Sequence, residues 1–66
     1  MKIIFNRKEM DVADGVTLRD FLLSAGLNLE RVIVELNDEL VPGPRWEETV
    51  LNDGDRLLAV TFVGGG

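Results

Sequence analysis

The side chains that most often carry covalent or acid–base chemistry are scarce in this sequence. It has no Cys and no His, which removes thiolate nucleophiles, disulfides, Cys/His zinc sites and the usual near-neutral proton shuttle together. Ser24, Thr17, Thr49 and Thr61 are the only hydroxyls, and without His none has a conventional base to take its proton. Carboxylates are adjacent at Asp38-Glu39 and Glu47-Glu48 and cluster around Asp53-Gly54-Asp55. Such pairs can work as acid and base where burial raises one pKa. Each of them falls in a segment that reads as a turn, where Asp, Asn and Gly are favoured for backbone reasons, so solvated turn residues are expected. Asn52-Asp53-Gly54-Asp55 looks like part of a calcium loop but lacks the remaining ligands and the closing Glu.

The last candidate is Gly64-Gly65-Gly66. It is neither a Walker loop nor a dinucleotide fingerprint, because both require a helix to start after the glycines. It offers a free carboxylate on an unhindered stalk. Glycine has no Cβ, so such a tail can thread a narrow channel while another enzyme's backbone closes on it, and the carboxylate itself can be the reactant. A frayed end or cloning remnant accounts for three glycines equally well on the tail alone.

The elements that would position this tail follow from pattern. Among 66 residues, 45% are hydrophobic, and seven Lys and Arg against twelve Asp and Glu give a net charge of −5. One small acidic domain with a single core is expected, with little left over for a built-in cleft. The acidic balance argues against nucleic acid and anionic membrane as partners. The apolar run near the start is too short for a signal peptide or a membrane span, so a cytoplasmic location is the expectation.

Residues 2–5 and 9–12 read as two strands joined by the polar turn Asn6-Arg7-Lys8. Thr17 followed by Asp20 matches a helix N-cap with an acid in the first turn, and Leu18, Phe21, Leu22 and Ala25 form one apolar stripe over 18–25, stopped by Gly26. Residues 31–36 are rich in β-branched side chains, and the Asn37-Asp38 turn returns the chain into a short strand, 39–41. Pro42-Gly43-Pro44 breaks it, so 45–50 is expected as a loop or helical turn with Trp46 as a lid on the core rather than a binding platform. Asp53-Gly54-Asp55 then turns into the longest strand, 56–63.

Alternation within that last strand bears on the tail. If Leu57 and Ala59 face the helix, Leu58, Val60 and Phe62 face outward. Glu35 sets the outward phase of 31–36, placing Val32, Val34 and Leu36 inside and Ile33 outside, where Ile4 joins it. A sheet with one helix has no second layer for these residues, so the patch reads as a partner interface, with self-association as the alternative.

The opening Ile3-Ile4-Phe5-Asn6, the run Asn37-Asp38-Glu39-Leu40-Val41-Pro42 followed by Trp46, the Asp53-Gly54-Asp55 turn and the Gly65-Gly66 end resemble the ThiS-type sulfur carriers of thiamine biosynthesis over essentially the whole chain. The resemblance implies an α+β, ubiquitin-like β-grasp fold: a mixed sheet of four to five strands with one helix across one face, the first and last strands adjacent in its centre. It implies a β-grasp domain over 1–63 and a glycine tail over 64–66. It implies a carrier rather than an enzyme, with no bound cofactor. The Gly66 carboxylate would be adenylated by a separate E1-like enzyme that uses ATP, converted to a thiocarboxylate by a persulfide donor, and would deliver its sulfur to thiazole synthase. Gly65 and Gly66 carry over as the functional tail, and Gly64 is an additional glycine that would thread with them. Phe62 and Val63 would sit at the mouth of the partner's channel. The outward set Leu58, Val60, Phe62, Ile33 and Ile4 is the expected docking surface.

Three other functions stay open at this point. The small subunit of molybdopterin synthase uses the same tail chemistry on a similar fold. A ubiquitin-like modifier would join Gly66 to lysines of target proteins. A plain interaction module would leave the tail inert.

Overall fold

The computed structural model describes residues 1–62, and the expectations placed on Val63, Gly64, Gly65 and Gly66 lie outside the described residues. The chain runs β1 (Lys2–Phe5), β2 (Lys8–Asp11), α1 (Leu18–Ser24), β3 (Val32–Leu36), β4 (Glu39–Leu40), a 3-10 turn (Gly43–Arg45) and β5 (Arg56–Thr61). The strands form one sheet in the order β2-β1-β5-β3-β4. β1 and β5 are parallel and every other pair is antiparallel. This is the β-grasp arrangement, with all five strands present and β1 and β5 adjacent as the resemblance implies.

Both hairpins close through two residues at positive φ, Asn6 (49°) with Arg7 (71°) and Asn37 (51°) with Asp38 (71°). Such primed turns match the twist of the flanking strands, and Asn tolerates the left-handed region better than most residues. A two-residue loop also fixes register, setting Phe5 opposite Lys8 and Leu36 opposite Glu39. Lys8 therefore belongs to β2 and not to the turn, and β2 closes at Asp11, one residue before the expected end.

Helix α1 begins where Thr17 accepts the Asp20 amide at 3.1 Å. It ends in a Schellman motif: the Gly26 amide, at φ 78°, reaches the Leu23 carbonyl at 3.0 Å and the Leu27 amide reaches Leu22 at 3.1 Å. That motif stops the helix at Ser24 and makes Ala25 its exposed cap, so Ala25 leaves the apolar stripe expected of it. Leu18, Phe21 and Leu22 pack on Ile3, Val32, Val34, Leu57 and Ala59 from the sheet. Phe5 meets Phe21 edge to face at 5.0 Å.

The connection between β4 and β5 closes the end of this core. Trp46 is buried as expected, and its indole donates to the Val41 carbonyl at 2.8 Å, which gives the polar end of a buried ring a partner. Leu51, on the same connection, is fully buried. Two amides of the first helical turn donate into it, Leu18 to Thr49 at 2.7 Å and Arg19 to Trp46 at 3.2 Å, so groups that a helix start leaves unpaired are satisfied by the loop.

Candidate functional site

The helix covers one face of the sheet and leaves the other open. Directly opposite residues on neighbouring strands share a face, so the register states what the open face presents. Ile33 lies opposite Val60, and Glu35 lies opposite Leu58 on one side and Leu40 on the other. Ile4 lies opposite Arg56. Ile4, Ile33, Leu58, Val60 and Phe62 are all exposed, between 39% and 52%. The structure thus gathers the five apolar residues anticipated for docking onto one surface, continuous along β5 toward the chain end.

A sixth residue belongs with them. Leu40 is 66% exposed, and its pairing with Glu35 puts it on the same face. The sequence held the signal: the two-residue loop Asn37-Asp38 forces Leu36 opposite Glu39, hence Glu35 opposite Leu40, and Glu35 points outward.

Charge at one end of this face is partly neutralised. The Arg56 guanidinium bonds the Asp38 carboxylate at 2.9 Å, both side chains being exposed, which makes the pair a weak contributor to stability. With Ile4, Arg7, Glu35 and Leu58 they line a shallow depression at the start of β5.

One acid departs from expectation. Asp55 is buried at 9% exposure. Its carboxylate accepts the Asn52 amide at 2.7 Å and the Asn37 side chain at 3.0 Å, so it braces the turn into β5 instead of standing in solvent. Asp53 remains exposed and accepts the Lys2 amide at 2.8 Å. Asp38, Glu39, Glu47 and Glu48 are exposed. Among the described residues no three acids come together in a group that could hold a metal ion. The reactive group anticipated from the sequence, the Gly66 carboxylate, lies outside the described residues together with Gly64 and Gly65.

Residues 3–66 match the model of the ThiS family. The chain belongs to the ThiS family. Among its ThiS-family relatives, the sulfur carrier protein ThiS of Bacillus subtilis is 43% identical over 53 residues, covering 80% of each chain. The crystal structure of the thiamine biosynthesis protein ThiS from Geobacter metallireducens superposes with a TM-score of 0.87 at 30% identity over the full length of both chains. A thiazole synthase of Paramagnetospirillum magneticum is 36% identical over 66 residues; this ThiS-family chain is matched throughout but spans only 20% of that relative.

Proposed function

We propose that this chain carries sulfur on its terminal glycine for thiazole formation in thiamine biosynthesis. The observation that carries the reading is the family match over residues 3–66, which extends through Gly65 and Gly66. The open apolar face supports it, because β5 lends Leu58 and Val60 to that face and Phe62 follows directly on the strand, before the glycines. A partner docked there receives the tail from the same strand. Occurrence of a homologous segment within a thiazole synthase supports that enzyme as recipient.

The chemistry needs nothing from the carrier but its carboxylate. Attack of the Gly66 carboxylate on the α-phosphorus of ATP, in an E1-like enzyme, releases pyrophosphate and leaves an acyl adenylate. A persulfide then attacks the acyl carbon and expels AMP, giving an acyl persulfide. A thiol cleaves its S–S bond, leaving the thiocarboxylate on Gly66 and a disulfide on the donor side. The sulfur rides on the main-chain terminus, so a carrier without Cys is chemically sufficient.

Intact mass after incubation with ATP, the activating enzyme and a persulfide donor tests this. A gain equal to exchange of one oxygen for sulfur, localised to Gly66 by fragmentation, is expected. An unmodified terminus with demonstrably active partners refutes it.

A further inference from the structure

β1 separates from β5 early. Their pairing covers Ile4 opposite Arg56 and Phe5 opposite Leu57, and the last backbone bond runs from the Asn6 amide to the Leu57 carbonyl at 2.9 Å. Asn6 then enters the positive-φ turn and the chain reverses into β2. Polar groups along a strand point alternately to its two neighbours, so the next pair on this side of β5 belongs to Ala59, which is 8% exposed.

The Asn6 side chain takes that pair. The Ala59 amide donates to Asn6 Oδ1 at 2.8 Å, and Asn6 Nδ2 donates to the Ala59 carbonyl at 3.2 Å. A carboxamide carries the donor and acceptor of a peptide group, so it stands in for one further residue of β1. On the other side β5 stays paired with β3 as far as Thr61, and the Phe62 amide reaches the Arg31 carbonyl at 3.1 Å.

We infer that Asn6 is a positioning residue for the chain end. By holding both polar groups of Ala59, it fixes the course of β5 as far as Thr61, the base from which the chain end is offered to a partner enzyme. The inference rests on the carrier reading. Asn6 supplies no reacting group of its own. Its loss leaves the docking surface intact and the end of β5 held from the β3 side alone, so fewer docked carriers place the carboxylate correctly.

Asn37 provides an internal control. It is the corresponding residue of the other hairpin: its Oδ1 accepts the Arg56 amide at 2.9 Å and its Nδ2 donates to Asp55 at 3.0 Å. It grips β5 at its start, five residues or roughly 17 Å before Thr61.

The test compares Asn6→Gly and Asn37→Gly with the unaltered chain. Glycine accepts positive φ, so each variant keeps its turn and loses only the carboxamide. Hydrogen exchange of the Ala59 and Phe62 amides is measured, with the rate of ATP-dependent activation against carrier concentration. For Asn6→Gly, Ala59 exchange rises about tenfold or more, as expected for loss of two ordinary hydrogen bonds. Its saturating rate falls roughly three- to tenfold while KM stays within about twofold, because orientation and not docking is lost. Asn37→Gly lowers Tm at least as far but leaves the saturating rate within about twofold.

Unchanged Ala59 and Phe62 exchange in Asn6→Gly overturns the inference whatever the partner does. So does an equal fall in saturating rate for both variants, which reports general destabilisation. Failure of the unaltered chain to be activated is a different result: it overturns the carrier reading, and the exchange data still decide whether Asn6 fixes the strand end.

Discussion

Replacing Asp55 by Ala removes the acceptor that braces the turn into β5. Two donors are orphaned, the Asn52 amide and Asn37 Nδ2. Asn37 cannot simply flip its amide, because its Oδ1 already accepts the Arg56 amide at 2.9 Å. Each orphaned donor costs about 1–3 kcal/mol, and since Asp55 retains 9% exposure some water can enter, so the lower half of the combined range applies, about 2–4 kcal/mol. Total stability for a domain of this size is roughly 3–10 kcal/mol. The substitution therefore removes a large share of it and lowers Tm by roughly 10–25 °C. Asp55→Asn keeps one acceptor and sets its amino group against one of the two donors, so about half the loss is expected. Urea unfolding followed by fluorescence of the single buried Trp46 measures both. Loss below about 1 kcal/mol for Asp55→Ala, or equal losses for the two variants, would refute this account, since the cost could not then follow the number of orphaned donors.

The open face and the tail give further expectations. Val60→Lys lies at an exposed position opposite Ile33, so it costs under about 1 kcal/mol of stability but raises KM for activation about tenfold or more, because docking would bury a charge; an unchanged KM removes this face from the interface. Four residues beyond Phe62 can span at most about 14 Å. Deleting Gly64 shortens that reach by roughly 3.5 Å and is expected to lower thiocarboxylate formation about 100-fold or more, read by intact mass. Gly64→Ala keeps the length and stays within about threefold, as expected if Gly64 serves as spacer; equal losses for the two changes would make Gly64 a recognition residue.

Much of this fold was legible because small elements carry local signals. Thr17 and Gly26 mark the ends of α1 through caps that depend on the residues beside them, and alternation along β5 assigned Leu57 and Ala59 inward and Leu58, Val60 and Phe62 outward. The misreadings came where a bond to a distant segment decided the outcome. Lys8 reads as turn by polarity, yet a two-residue loop leaves it paired with Phe5. Asp55 reads as solvated until Asn37, eighteen residues away, closes on it.

By itself the sequence narrowed the chemistry open to this protein: it has no Cys and no His, which removes thiolate nucleophiles, Cys/His metal sites and the near-neutral proton shuttle. It also set the phase of each strand, since side-chain alternation is a property of the chain. Tertiary structure decided which phases meet. Only the order β2-β1-β5-β3-β4 joins Ile4, Ile33, Leu40 and Leu58 into one surface, and only it brings Asn6 to Ala59 across 53 residues. Such contacts depend on strand neighbours chosen by burial of the whole core, a cooperative outcome that no local window of sequence contains.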